Sequence, residues 1–460
     1  MSQDVLTEAR PVNTLKQRAR QTHIILVALC LLTLGTRVGY AFITPIDTDP
    51  HDEWEHIAAK LALGQGYVSS WPKTYIQPAY LNIPNYQFPL LPTATRVPVP
   101  VFYFALMYRL LGLDDRSLVI GQWILDTLTC LVLFALALRV FGDRRVAILT
   151  SVAWALYPPA LWLSNSRFSE PMTTLLLACL VYLLVWSQET HQARRYALAG
   201  VMWGLCILTR PILIVLPLFF FPVLIVQLRR QLWRAVLACT VMALGGAIVL
   251  APWVYRNNLV FHAFMPTGTI SGLNLFRENY LLDRDDYLTF RDIPIFQQTS
   301  KAMFDRRFGS VAVVETADDT QLLIDRTYRE EAMAKILEYP GRYIILSLVR
   351  GLRLWFNVGY GHPPSLASYL ILIGNLALVG LTIKAFASYR GDWMSKLVPA
   401  FVVIVQHTLT YIAIVGAFRY SVPLMPYLFM TGSYALVRLL EGKGIRHDNQ
   451  AHLLRWRKEH

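Results

Sequence analysis

The chain has 460 residues, 55% of them hydrophobic and 16% charged, with a mean hydropathy of +0.40. Its net charge is +13, but the Arg and Lys are dispersed through short loops and tails, which argues against nucleic-acid binding. Several apolar blocks approach the roughly 20 residues a helix needs to cross a bilayer, which excludes a soluble globular fold and predicts an all-α polytopic membrane protein.

A basic N-terminus, 1–21, carries Arg10, Lys16, Arg18 and Arg20 ahead of the first apolar block, 22–44. No small-x-small cleavage site follows promptly, so the block reads as a retained anchor rather than a cleaved signal peptide. Further spans are expected at about 117–140, 146–164, 171–187, 196–210, 211–227, 233–252, 366–386, 395–415 and 420–438. Arg210-Pro211 separates two short ones, because proline breaks the helical ladder. That pair also reads as one kinked element plus a re-entrant piece. Cys30, Cys130, Cys179, Cys206 and Cys239 all fall inside apolar blocks and read as small buried hydrophobes.

The basic loops set an orientation. The N-terminus, Arg139-Arg144-Arg145, Arg194-Arg195, Arg229-Arg230-Arg234, Lys384-Arg390-Lys396 and the tail 441–460 are expected on the cytoplasmic side. Segments 97–112 and 341–358 would break that alternation if they crossed. Both are therefore expected to lie on, or dip into, the outer surface. The outer loops are then 45–116, 164–171 and 253–365, within one membrane domain, 22–440.

Residues able to do chemistry gather in those loops. The first loop opens on Asp47-Thr48-Asp49-Pro50-His51-Asp52-Glu53-Trp54-Glu55-His56, five carboxylates beside the membrane. A surface helix is expected to begin here, with Asp52 or Glu53 on the face of His56, and to end at Gly64-Gln65-Gly66-Tyr67. A solvated helix start is the plain alternative; the position between a span and the other loops favours a site. Glu170 follows Arg167 in the second loop, where Ser169 and Pro171 also read as ordinary helix-start residues. Arg256-Asn257 follows Pro252-Trp253, and Arg419-Tyr420 precedes Pro423, each also compatible with interfacial anchoring. No Gly-rich phosphate loop or metal-ligand motif occurs, and His51 and His56 are five apart, which fits neither common ligand spacing.

Taken in order, these segments resemble a known family. They are Asp52-Glu53-Trp54-Glu55-His56-Ile57-Ala58 with Gly64-Gln65-Gly66-Tyr67, then Arg167 to Glu170-Pro171, Gly204 to Arg210-Pro211, Pro252-Trp253-Val254-Tyr255-Arg256-Asn257, and Arg419-Tyr420 to Pro423 and Pro426. The set is similar to the GT-C glycosyltransferases, in the branch of the dolichyl-phosphate-mannose protein mannosyltransferases and the bacterial lipid A aminoarabinose transferase. It covers about 20–440. The resemblance implies a GT-C-like bundle of roughly 10–12 transmembrane helices with outer juxtamembrane helices. It implies sugar transfer from a polyprenyl-phosphate donor on the outer face, with Asp52 as catalytic carboxylate and Glu170 as the second acid. His56 stands where the family has Tyr. Some relatives carry a large soluble C-terminal domain; none is expected here, so the loops are expected to recognise the acceptor.

The chemistry fits that implication. An acceptor hydroxyl must lose a proton as it attacks the anomeric carbon, and a placed carboxylate can take it. Asp52, with Glu53 beside it, is the expected base, and a single displacement inverts the anomeric centre. The departing polyprenyl phosphate needs cations, for which Arg256, Arg419 and Lys73 are the candidates. His56, Arg167, Asn257 and Tyr420 complete the expected pocket. Metal use stays open, with Asp52 and Glu170 the ligand candidates for a divalent cation. The expected partners are the lipid-linked donor, a glycan, lipid or protein acceptor and membrane lipids, in a bacterial inner membrane. A lipid or sugar transporter or flippase is the alternative, resting on Asp126, Arg37 and Arg210, but the two halves show no repeat. A polysaccharide polymerase or ligase would carry an Arg-rich outer loop with little carboxylate.

Overall fold

A computed structural model describes residues 9–44, 53–69, 90–288, 293–308, 317–356, 366–389 and 391–441. Asp52 and Lys73 lie outside these described residues. The elements are almost all helical: α1 (Ala9–Ile43), α2 (Trp54–Ala62), α3 (Pro98–Leu111), α4 (Asp115–Phe141), α5 (Arg144–Leu156), α6 (Pro158–Ser164), α7 (Glu170–Gln188), α8 (Ala193–Ile207), α9 (Leu216–Gln227) and α10 (Leu232–Phe261). Then come α11 (Ser271–Asn279), α12 (Ile293–Phe308), α13 (Ala317–Glu338), α14 (Pro340–Phe356), α15 (Leu366–Ser388), α16 (Trp393–Lys396), α17 (Val398–Ile414) and a last helix, α18, over 425–441. Two short antiparallel strands, β1 (Val68–Ser69) and β2 (Leu91–Pro92), pair Val68 with Pro92 and Ser69 with Leu91.

The architecture is that of an all-α polytopic membrane protein. Among the described residues, α1 from Ala19, α4, α7, α10 and α15 from Ser368 are long and apolar enough to cross a bilayer. The pair α5–α6 makes a sixth, bent by 56°. The bend has a local cause: Tyr157 precedes Pro158-Pro159 and is held extended, which ends α5. The other expected spans appear as shorter pieces. The break at Pro211 gives a 3-10 turn, Pro211–Val215, before α9, and a second 3-10 turn, Phe418–Leu424, precedes α18. Segment 97–112 is the 14-residue helix α3.

Helix α7 is the centre of the bundle: 67% of its span is buried, against 17% for α1 and for α15, whose sides remain open to lipid. In lipid, such packing gains mainly close van der Waals contact and satisfied polar groups, so small residues matter at helix crossings. Helices α8 and α10 meet through Gly200 and Gly204 on one side and Gly245 and Gly246 on the other. A Cβ on Gly200 would overlap the Met242 carbonyl oxygen. Gly200→Val should therefore separate α8 from α10 at a cost of about 1–3 kcal/mol or more. A lowered thermal unfolding midpoint and a reduced folded yield in detergent are the expected readouts; an unchanged midpoint would contradict this crossing.

The two ends of the bundle differ. At one end, Arg139 and Lys396 both pair with Glu189, at 2.6 Å each, tying α4 and α16 to the residue that follows α7. Arg145 pairs with Glu441 at 2.5 Å, tying α5 to α18. In the interior, Arg37 of α1 pairs with Asp126 of α4 at 3.2 Å and also donates to the Trp154 and Ala155 carbonyls. That pair closes a buried structural contact between three helices.

The opposite end carries the loops. Helices α11, α12 and α13 share a small aromatic core of Phe276, Tyr280, Phe304 and Tyr328. Helix α14 turns Arg342, Arg350 and Arg353 onto the carbonyls of Leu282, Glu278 and Leu288, while Ile344, Ile345, Leu348 and Leu352 are exposed. An outward apolar stripe opposite an inward arginine row is the pattern of a helix lying along a membrane surface.

Candidate functional site

Glu170 begins α7, with Pro171 in its first turn, and is 1% exposed. Its Oε1 meets two cations: Arg210 Nη2 at 2.5 Å and Arg419 Nε at 3.3 Å. Each arginine sits at a helix break. Arg210 precedes Pro211 and is held extended, φ −141° and ψ 103°, between α8 and the 3-10 turn. Arg419 lies in the 3-10 turn that joins α17 to α18. Three breaks thus deliver one carboxylate and two guanidiniums to one point, with one positive charge in excess.

Aromatic rings frame the cluster. Arg210 lies 5.1 Å from the Tyr420 ring, and Arg419 lies 4.1 Å from the Phe168 ring. Arg419 Nη2 donates to the Tyr420 hydroxyl at 3.0 Å. The Tyr420 and Tyr411 rings stack at 4.5 Å and 9°.

A cavity of about 140 Å³ opens beside this cluster. Arg210, Tyr411 and Tyr420 form one wall; Trp54 and Thr95 to Val97 form a second; Thr267, Gly268, Ser271 and Asn274 form a third. Helix α2 therefore brings Trp54 to the cavity. Glu53 is 5% exposed, and its Oε1 accepts from Ser69 Oγ at 2.7 Å. Its Oε2 is buried with no hydrogen-bond partner among the described residues. Glu53 turns inward with Trp54, Glu55, Ile57 and Ala58, while His56 is exposed; the other expected neighbour of His56, Asp52, lies outside the described residues. The helix ends as its glycines dictate, with Gly64 and Gly66 at φ +77° and +90°.

Arg256 has another setting. Its guanidinium donates to the Thr93 carbonyl at 2.8 Å and the Tyr67 carbonyl at 3.3 Å, and lies among the rings of Tyr67, Trp253 and Phe261. Asn257 accepts from Arg256 at 3.0 Å and donates to the Met265 carbonyl at 3.0 Å. Trp253 Nε1 donates to the Thr267 carbonyl at 2.9 Å. The Trp253-Arg256-Asn257 group thus ties the strand pair to the 265–268 wall of the cavity. Burial pushes the Tyr67 phenol well above its ordinary range, so it stays protonated and donates to the Arg96 carbonyl at 2.9 Å. Arg256→Lys keeps the charge but loses the two-carbonyl fork. It should cost about 1.5–3 kcal/mol of stability, read as a lower unfolding midpoint in detergent. An unchanged midpoint with impaired activity would instead put Arg256 on the substrate.

Arg167 pairs with Asp115 at 2.9 Å and stands 3.9 Å from Glu55, fastening the 164–169 turn to α4 and α2. Among the described residues, no three His, Cys, Asp or Glu side chains come together as a metal site, and Asp52 lies outside that set.

The structure therefore brings together Glu170, expected as the second acid, Arg419, expected at the donor phosphate, and Tyr420, expected in the pocket, and adds Arg210, Tyr411 and Trp54. Arg210 has a signal in the chain: it stands immediately before a helix-breaking proline, as Glu170 does before Pro171.

Fold and site together define a polytopic all-α membrane protein with a cationic, aromatic-walled cavity at one end. Residues 95–255, just over a third of the chain, match the family model of dolichyl-phosphate-mannose-protein mannosyltransferases, the family that the ordered motifs resemble. No curated protein matches. Among solved structures, the oligosaccharyltransferase of Archaeoglobus fulgidus, in complex with Zn and sulfate, is similar with a TM-score of 0.48 and 13% identity, covering 90% of this chain and 49% of that one. This chain thus spans about half the length of that protein. ArnT from Cupriavidus metallidurans bound to undecaprenyl phosphate is similar with a TM-score of 0.39 and 14% identity, covering 91% of this chain and 78% of that one. The apo form of the same ArnT gives 0.38 and 12%, over 91% and 78%.

Proposed function

We propose that this protein is a membrane glycosyltransferase that moves a sugar from a polyprenyl-phosphate donor to an acceptor hydroxyl at the outer face of the membrane, with inversion. The observation that carries this reading is the Arg210–Glu170–Arg419 cluster beside the cavity. A departing lipid phosphate gains negative charge, and two guanidiniums held in place by a buried carboxylate meet that charge without reorganising. At an effective dielectric constant near 20, one such contact at about 4 Å is worth about 4 kcal/mol. The excess positive charge suits an anion, and the aromatic walls suit the faces of a sugar ring. The matched family's name specifies a dolichyl-phosphate sugar as donor, which agrees with that site.

In this reading Arg210 and Arg419 take the donor phosphate, Glu170 fixes them, and Arg256 holds the cavity wall. Asp52 is the base that accepts the acceptor's proton, with the buried Glu53 beside it in the chain. The distribution of basic loops supports an outward orientation for this end of the bundle and a cytoplasmic one for the Glu189 end. The test is mass spectrometry of envelope glycans, lipids and glycoproteins from cells with and without the gene. A glycan lacking one sugar in its absence identifies donor sugar and acceptor together. An unchanged envelope, with transport of a lipid or sugar by the reconstituted protein, would replace this reading with that of a transporter.

A further inference from the structure

Beneath the arginine cluster lies a buried histidine for which neither the motifs nor the chemistry above has a use. His407, on α17, is 1% exposed. Its Nε2 stands 3.2 Å from the Tyr420 carbonyl oxygen, and its ring packs 4.7 Å from the Tyr411 ring. A carbonyl oxygen only accepts, so Nε2 carries the proton and donates it. Nδ1 is then the bare nitrogen, buried with no hydrogen-bond partner among the described residues.

The bond matters because of what it holds. Tyr420 sits in the 3-10 turn that carries Arg419, and 3-10 turns have poorer internal hydrogen-bond geometry than α-helix. The turn has internal bonds from Tyr420 N to the Ala417 carbonyl, 3.0 Å, and from Ser421 Oγ to the Phe418 carbonyl, 2.8 Å. The His407 contact ties the turn to another helix. The Tyr420 hydroxyl accepts from Arg419, its ring lies against Arg210, and it lines the cavity. A rotation of this one residue would move both guanidiniums.

We propose that His407 is a positioning residue for the donor-phosphate site: its Nε2–H fixes the Tyr420 carbonyl and thereby aims Arg419 and seats Tyr420 against Arg210. The proposal rests on the reading of Arg210 and Arg419 as the phosphate site. His407 touches no substrate in it and acts through the turn alone.

The test measures binding of a short-chain polyprenyl monophosphate to the full chain, purified in detergent, on the monodisperse fraction. His407→Leu should weaken binding about tenfold, and His407→Gln, whose amide can donate to the same carbonyl, should stay within about threefold of wild type. In an Arg419→Ala background, His407→Leu should cost no more than about threefold, because the share it exerts through Arg419 is gone and only the seating of Tyr420 against Arg210 remains. His407→Met, of similar bulk and without a donor, replaces the Leu variant if that one is not recovered. Wild-type affinity in the Leu or Met variant overturns the proposal, as does the same tenfold loss with Arg419 already removed. Failure of the wild-type protein to bind the phosphate is a separate result: it overturns the donor-site reading itself and this proposal with it.

Discussion

Glu170→Gln is expected to lower sugar transfer by about a thousandfold and to destabilise the folded protein by about 3–5 kcal/mol, the range for a buried ion pair that loses one partner. The carboxylate is the contact shared by Arg210 and Arg419, and it is 1% exposed. Glutamine keeps the shape and can accept one hydrogen bond, but it leaves two guanidiniums facing each other with no counter-charge. The variant should also respond to anions. Added inorganic phosphate should raise its unfolding midpoint more than that of wild type, because an anion that binds the folded cluster stabilises it by mass action. The measurements are a transfer rate per folded molecule and a thermal unfolding scan with and without phosphate. Wild-type turnover in the folded variant would remove the cluster from the mechanism.

Arg210→Ala should reduce transfer by about a hundredfold to a thousandfold, the usual cost of deleting one preorganised donor to developing negative charge. Arg210 is the member of the pair that lines the cavity, and its side chain is 16% exposed. Its removal leaves Glu170 with Arg419, so the buried carboxylate keeps one counter-ion and the fold survives better than in Glu170→Gln. Arg210→Lys should recover only part of the loss, since a point charge lacks the planar fork that meets two phosphate oxygens. The fall should appear in kcat as well as in the donor's KM, because the charge to be met is greatest in the transition state. A change confined to the acceptor's KM would move Arg210 from the donor phosphate to the acceptor.

Much of this was legible in the chain. Apolar block length gave the polytopic class, and the break at Pro211 was readable from the chain, whereas the one at Pro158, inside the expected span 146–164, was not. Those breaks matter functionally, because a residue beside a helix break can aim at a neighbouring helix. Glu170 and Arg419 stand out in the chain as outer-loop charges within the resembling motifs, and they meet. Arg210 stands before such a break, yet its pairing with Glu170 depends on α7 and α8 lying side by side, a tertiary fact that no local pattern encodes. Arg256 shows the converse. A Trp-x-x-Arg-Asn run at a helix end reads equally as phosphate binder or anchor, and only the nearby Thr93 and Tyr67 carbonyls show what its donors meet. His56 shows what spacing alone leaves open: an i,i+3 interval puts it near the face of Glu53, yet Glu53 is buried and His56 is exposed, and its other expected neighbour, Asp52, lies outside the described residues. His407 lies within an apolar helix, where sequence offers only a polar exception and no partner.

The most direct test of the central claim is transfer itself, in proteoliposomes containing purified protein and a polyprenyl-phosphate donor carrying a labelled sugar. Wild-type protein should release the lipid phosphate and move the label to an acceptor from the same membranes. Asp52→Asn, inserted to the same level and equally stable, should leave the donor intact. Undiminished transfer by Asp52→Asn, or no transfer by wild type while lipid or sugar crosses the bilayer, would contradict a glycosyltransferase with its base in the first outer loop.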